Sequence, residues 1–320
     1  MTTRLPLRAS AATITALALA TTLFGCAPAA TDRPLIVVTT NILGDVVEQI
    51  VGDEAEVMTL MQPNADPHSF EISAQEASRI LNADLIVSNG LGLEEGLQQH
   101  LESAAANDVP LLAAGDVIDV LTYSADVDAE DDTTGSGSGS GAADPHFWTD
   151  PARMLDVVDA VATSVTDHVR GVDGAVITRQ AEEYAAELRD LDAEMVAAFE
   201  GIGQARRNLV TNHHVFGYLA DRFDFTVVGA VIPGGSTLAA PSASDLRDLV
   251  SAINTTGVAT IFAESSQPDR LVQVLADEAG VDVAVVELFT ESLSEAGAGA
   301  DSYLTMMRTN TERIATGLSP

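Results

Sequence analysis

The sequence predicts an α/β protein of two similar lobes, each a mostly parallel sheet flanked by helices, joined by one long rigid helix. Three observations lead there. Short β-branched runs alternate with amphipathic helical stretches along both halves of the chain, the pattern of parallel sheets covered by helices. That alternation is interrupted once, over residues 175–202, by a helical pattern rich in Ala, Glu, Arg and Leu. And 320 residues suffice for two ordinary domains with sizeable cores.

The first 25 residues stand apart. Arg4 and Arg8 precede an uncharged apolar run over 9–24, too short to serve as a stable membrane span. The run ends in Leu23-Phe24-Gly25-Cys26, which resembles a bacterial lipobox. This implies cleavage before Cys26, a lipid on its sulfur, and a mature chain held at the outer face of the cytoplasmic membrane by the tether 26–34. Several acyl chains anchor stably where one is marginal. Cys26 is the only cysteine, so no intramolecular disulfide can form.

In the first lobe, 35–173, a β-branched strand over 35–40 leads to a helix opened by Asn41, with Ile42, Val46, Val47 and Ile50 on its apolar face and Gly52 at its end. Strands follow at 56–61, 84–88 and 117–123. Between them Ser73 caps a helix through Leu81, with Glu76 completing a capping box, and 93–107 forms another. Residues 126–143 are acidic and then Gly-Ser repeats; such a segment buries no apolar surface and is expected to be a mobile loop. A helix from 152 to about 170 closes the lobe.

The linking segment, 174–203, carries Tyr184, Leu188, Leu191, Met195 and Phe199 at spacings of three and four. As a helix it spans about 40 Å. The second lobe, 204–320, repeats the alternation. Strands are expected at 208–211, 226–232, 260–264 and 283–288. Helices are expected at 213–223, after Ser242 with Asp245 as its capping partner, at 268–279, and finally to about 317.

The formal charge of −33 becomes −35 once residues 1–25, with two arginines and no acid, are removed. Such acidity argues against nucleic acid or anionic lipid as partner and leaves the lipid anchor as the membrane attachment. It is compatible with a cation.

Two loops echo each other: Asp66-Pro67-His68-Ser69-Phe70 and Asp144-Pro145-His146-Phe147-Trp148. Proline fixes its own φ and restricts the residue before it, so both histidines sit on stiffened loops. In open parallel sheets, ligands bind beyond the carboxyl ends of strands. His68, His213 and Glu291 each follow such an end, and His146 follows the 117–123 stretch across the acidic segment. Two come from each lobe, so a cleft between lobes can gather three imidazoles and one carboxylate. Each has an ordinary alternative, a solvent-facing loop histidine or a surface acid. His213-His214 falls at the start of the expected 213–223 helix, where the dipole disfavours a protonated ring and suits a neutral, metal-binding one. His100 and His168 lie in helical patterns without partners and read as surface residues.

Four motifs occur in order: Pro67-His68-Ser69-Phe70-Glu71, Asp144-Pro145-His146-Phe147-Trp148, His213-His214-Val215-Phe216-Gly217-Tyr218 and Ile261-Phe262-Ala263-Glu264-Ser265-Ser266. With them the chain resembles the zinc and manganese substrate-binding lipoproteins of bacterial ABC importers, the helix-linked (cluster A-I) group of solute-binding proteins. The resemblance runs from Ile36 to the Tyr303-Leu-Thr-Met-Met-Arg stretch. It implies His68, His146 and His213 as metal ligands, with His214 and Glu264 as supporting groups behind them. The fourth ligand in that family is usually an aspartate; here Phe289-Thr290-Glu291-Ser292 supplies glutamate. Residues 126–143 lack the histidines that many zinc members carry there, leaving a plain linker or weak metal collection through Asp126, Asp128, Glu130, Asp131 and Asp132.

Three imidazoles and a carboxylate suit Zn2+. Mn2+, the alternative, prefers more oxygen and higher coordination. The implied function is extracytoplasmic capture of the metal and delivery to a membrane ABC permease by a monomer that is not an enzyme. Rival readings are a secreted zinc hydrolase and an adhesin-type surface lipoprotein. The chain lacks His-Glu-x-x-His and Gly-x-Ser-x-Gly. A glutamate in fourth place would also close the site to a catalytic water.

Overall fold

The computed structural model describes residues 33–123, 141–232, 234–266, 270–279 and 284–319. The signal segment, Cys26, most of the tether and residues 126–140 lie outside the described residues.

The first sheet contains β1 (Leu35–Val38), β2 (Glu56–Thr59), β3 (Leu85–Ser88) and β4 (Leu111–Ala113) in the order β2-β1-β3-β4, every pair parallel. The central strands β1 and β3 are buried along their whole length. Their near-continuous apolar runs reflect cover on both faces, as parallel strands require. Helix α1 (Asn41–Val51) is capped by Thr40, whose hydroxyl accepts the Leu43 N–H, and ends at Gly52 with φ of +49°. The Ser73–Glu76 capping box opens α2 (Ala74–Ile80). A 3-10 turn leads into α3 (Gln98–Ala106). Asp150 accepts the Ala152 N–H at 2.9 Å and, with Pro151 in the first turn, starts α4 (Pro151–His168).

The strand expected over 117–123 is absent. Asp116 and Asp119 interrupt its apolar run, and Val117 and Val120 stay 37% and 38% exposed. The edge position belongs to β4, three residues after Pro110 and too short for periodicity to register. Residues 121–123 are instead clipped to 141–144. Thr122 bridges Ala143, Tyr123 N–H donates to Ala142 O at 2.9 Å, and Asp144 N–H donates to Leu121 O at 2.8 Å. Both ends of the acidic segment are thereby fixed.

The second sheet repeats the plan with β5 (Asn208–Thr211), β6 (Thr226–Ala230), β7 (Thr260–Glu264) and β8 (Ala284–Leu288), all parallel in the order β6-β5-β7-β8. Around it lie α6 (Gly217–Phe223), α7 (Ala243–Thr256), α8 (Arg270–Ala279) and α9 (Tyr303–Gly317). The Ser242–Asp245 capping box forms as expected. Helix α6 starts four residues later than the sequence suggests. The His213 carbonyl accepts from the Thr211 hydroxyl at 2.7 Å and the Val215 N–H at 3.0 Å, so it closes a turn rather than a helical ladder.

Between the lobes α5 (Gly174–Glu200) runs as one continuous helix, burying Ile177, Tyr184, Leu188, Leu191, Met195 and Phe199. These side chains belong to a single apolar core that extends from Ile36 and Val38 of the first sheet to Leu209, Phe262 and Tyr303 of the second lobe. The two-lobe α/β architecture is thus held along one shared seam. Among the described residues no helix is long and apolar enough to cross a membrane.

Candidate metal centre

His68, His146, His213 and Glu291 each offer one donor atom, and these atoms all lie within 4.8 Å of one another. The residues are 2%, 0%, 0% and 1% exposed, so the group is enclosed by protein. His68 and His146 come from the first lobe and His213 and Glu291 from the second. Glu291 Oε1 lies 2.9 Å from His68 Nε2, 3.2 Å from His213 Nε2 and 3.4 Å from His146 Nε2. All three imidazoles therefore present the same nitrogen to one point. Among the described residues Glu291 Oε2 has no hydrogen-bond partner, although it is buried. A buried carboxylate oxygen without a donor is costly unless a cation serves it, so the donor set fits a metal ion.

The Asp-Pro-His echo has a structural meaning. In both loops the aspartate side chain accepts the amide of the histidine two residues on: His68 N–H to Asp66 Oδ1 at 2.9 Å, His146 N–H to Asp144 Oδ1 at 3.0 Å. Each turn is closed by its own side chain, as Asx turns are. Asp144 Oδ1 also accepts His146 Nδ1–H at 2.8 Å, which leaves Nε2 for the centre. Tyr123 places its hydroxyl 3.3 Å from Asp144 Oδ1 and 3.2 Å from His146 Nδ1. Burial, with the charge of Asp144 beside it, pushes this phenol far up, so it remains a donor. The Asn89 amide donates to Pro145 O at 3.0 Å and supports the loop from the other side.

Glu264, at the end of β7, hydrogen-bonds His213 Nδ1 and fixes that ring in the same sense. The Glu291 loop, part of the second lobe, is held by side chains of the first. Asn41 Nδ2 donates to Ser292 Oγ at 2.8 Å while its Oδ1 accepts Leu293 N–H at 2.9 Å, and Trp148 Nε1–H donates to Thr290 O at 2.8 Å.

Electrostatics follow the geometry. For His213, burial works against the charged ring, but the Glu264 and Glu291 carboxylates outweigh it and hold the imidazole well above its ordinary value. His146 is likewise raised: burial opposes it, and hydrogen bonds to Asp144 and Glu291 prevail. Burial alone would raise Glu291, yet His213, His146 and His68 bring it well below the usual carboxylate range. The helix-dipole argument for a neutral His213 therefore does not apply, because the residue precedes α6 and faces two carboxylates. His214 does not join the group of four. Its ring packs 6.5 Å from Tyr123, and burial, with His213 as a neighbouring charge, lowers it to about 4. His168 is exposed at the end of α4, and His100 lies half-buried on α3.

Residues that periodicity and motif spacing did not single out are Tyr123, Asn41, Asn89 and the capping aspartates. For Asp66 and Asp144 the repeated Asp-Pro-His was the available signal. For the others none exists in sequence, because their partners lie in distant segments.

Residues 36–317 match the family model described as ZnuA, zinc-uptake complex component A, periplasmic. The zinc-binding protein TroA of Treponema pallidum is 30% identical over 301 residues, 92% of both chains. The manganese-binding lipoprotein MntA of Halalkalibacterium halodurans is 27% identical over 285 residues, 89% of this chain and 88% of that one. Among solved structures, the periplasmic zinc-binding protein TroA matches with a TM-score of 0.79 at 28% identity, over 90% of this chain and all of that one. The Mn-bound periplasmic metal-binding protein of Candidatus Liberibacter asiaticus matches at 0.76 and 23% identity, over 89% of this chain and all of that one, a likeness of fold.

Proposed function

Because the chain belongs to the family of the zinc-uptake complex component A, we propose that it captures a divalent transition metal outside the cytoplasmic membrane and hands it to an ABC permease. The cargo is zinc, held by His68, His146, His213 and Glu291. The lipid on Cys26 anchors the chain, which works as a monomer. Its lobes are 35–173 and 204–320, on either side of the 174–203 linker.

The observation that carries this reading is the enclosed cluster of three imidazole nitrogens and one carboxylate, drawn from both lobes and within 4.8 Å of one another. A four-coordinate N/O set suits zinc, whereas manganese favours more oxygen donors. Manganese is the second reading, favoured by the unpartnered Glu291 Oε2, which offers a further oxygen. With Glu291 in fourth place the set is closed, leaving no position for a reacting water. Capture without chemistry on the metal follows.

Asp144 and Glu264 hold the His146 and His213 rings with Nε2 toward the centre, and Glu291 supplies the negative charge that a dication needs in a buried site. Binding displaces any proton on the Nε2 atoms that face Glu291, while the Nδ1–H groups stay on Asp144 and Glu264. Calorimetry on the chain from residue 27 onward should show one zinc per molecule, and His146→Ala should weaken binding by about tenfold or more. Unchanged affinity in that variant would remove His146 from the site. A zinc–manganese competition titration separates the two cargo readings.

A further inference from the structure

We propose that Gly234, Gly235, Ser236 and Thr237 form a strap from the second lobe that positions both first-lobe histidines and sets how fast a bound metal leaves. This deepens the reading of the site given above. None of the four residues offers a ligand, yet the strap touches the groups behind His68 and behind His146.

On the His68 side, Thr237 Oγ1 donates to Asp66 Oδ2 at 2.6 Å, and the other oxygen of that carboxylate accepts the His68 amide at 2.9 Å. One carboxylate thus joins the strap to the ligand loop. On the His146 side, Gly235 lies against the Tyr123 hydroxyl so closely that a Cβ there would fall 2.0 Å from its oxygen. That same hydroxyl sits on Asp144 and on His146 Nδ1. Ser236 Oγ adds a third contact, donating to Glu95 Oε1 at 3.0 Å on the surface. The root of the strap is tied to its own lobe, where Gly234 O accepts the His214 N–H at 3.4 Å.

All three strap contacts cross between lobes, so the lobes cannot part over the site without breaking them. A hydrogen bond to a half-buried carboxylate is stronger than one between neutral groups, which makes Thr237–Asp66 the dominant contact and the exposed Ser236–Glu95 the minor one. Thr237 is half-buried in a loop, so its replacement leaves the buried apolar residues in place.

The test loads the chain from residue 27 onward with zinc and follows its loss to excess EDTA by stopped flow. Thr237→Val should accelerate dissociation about tenfold, the effect of losing one charge-assisted hydrogen bond. Thr237→Ser, which keeps the hydroxyl, should restore the parent rate. Hydrogen exchange on the metal-free chain gives a second readout: the His68 amide should exchange faster in Thr237→Val and not in Thr237→Ser. Parent-like dissociation and exchange in Thr237→Val would overturn the proposal. So would equal acceleration by both variants, which would assign the effect to packing. A chain that holds no zinc would overturn the metal reading instead, and the His68 amide would then decide the strap alone.

Discussion

At the scale of the residue, Glu291 is the member whose identity matters most. Its carboxylate reaches within hydrogen-bonding range of His68 and His213 and lies 3.4 Å from His146 Nε2, so the extra methylene relative to aspartate does not hold it away from the centre. Glu291→Ala should therefore weaken zinc binding as much as His146→Ala does, by about tenfold or more. A clearly smaller loss in calorimetry would mean that the carboxylate stands behind a water. The raised His146 and His213 also set the pH behaviour. A ring that must be deprotonated to bind gives an affinity that falls as pH drops. Because both rings hold their protons more tightly than an ordinary imidazole, the fall should begin at a higher pH than an unperturbed ring would give. In the metal-free chain the sign reverses. These raised values add stability that is complete below the ordinary imidazole range and is lost as pH rises through them. Titrations from about pH 6 to pH 9 should show zinc affinity rising while metal-free thermal stability falls; a flat affinity would contradict the protonated cluster. In sequence, stiff Pro-His loops mark His68 and His146, whereas His213 and Glu291 stand out through the family motifs that hold them. Their orientation was not legible, since Tyr123 and Asn41 act on partners far away in the chain.

At the scale of the element, the start of α6 and the clip between 121–123 and 141–144 decide the site. Gly217, the first residue of α6, has Asp144 packed over it, and a Cβ there would come within 2.4 Å of Asp144 Oδ2. Asp144 is already held by His146 and Tyr123, so Gly217→Ala should disturb the His146 ring and weaken zinc binding by about tenfold. Parent-like affinity would show that Asp144 has freedom to move. Deleting residues 135–141 removes the Gly141 N–H bond to Tyr123 O but should leave equilibrium affinity nearly unchanged, because Tyr123 and Asp144 keep their own backbone bonds to Ala142 and Leu121. A large loss would assign metal collection to the acidic segment. The capping boxes at Ser73 and Ser242 and the central strands were readable from local chemistry. The edge strand β4 was not, because three residues carry no period. The turn at 213–216 was hidden because the Thr211 hydroxyl, not a helical partner, takes the His213 carbonyl.

At the scale of the whole molecule, α5 and the shared core resist a wide hinge. The lobes are also joined by Tyr303 N–H to Asp45 Oδ2 at 2.8 Å and, beside the site, by Trp148 Nε1–H to Thr290 O at 2.8 Å. Removing the metal should therefore loosen the loops that carry His68 and His146 without changing overall size. Small-angle scattering should give the same radius of gyration with and without zinc, while thermal stability rises with free zinc and is reversed by chelation. The two-lobe plan was legible because the strand–helix alternation repeats. That both lobes and α5 share one core was not, since helical periodicity marks an apolar face without naming what covers it. The most direct test is X-ray absorption at the zinc edge on the zinc-loaded chain from residue 27 onward, parent and His146→Ala side by side. The proposed site requires a four-coordinate N/O shell at about 2.0 to 2.2 Å, with imidazole scattering from three rings that falls to two in the variant. A six-coordinate oxygen shell, or a spectrum that His146→Ala leaves unaltered, would contradict it.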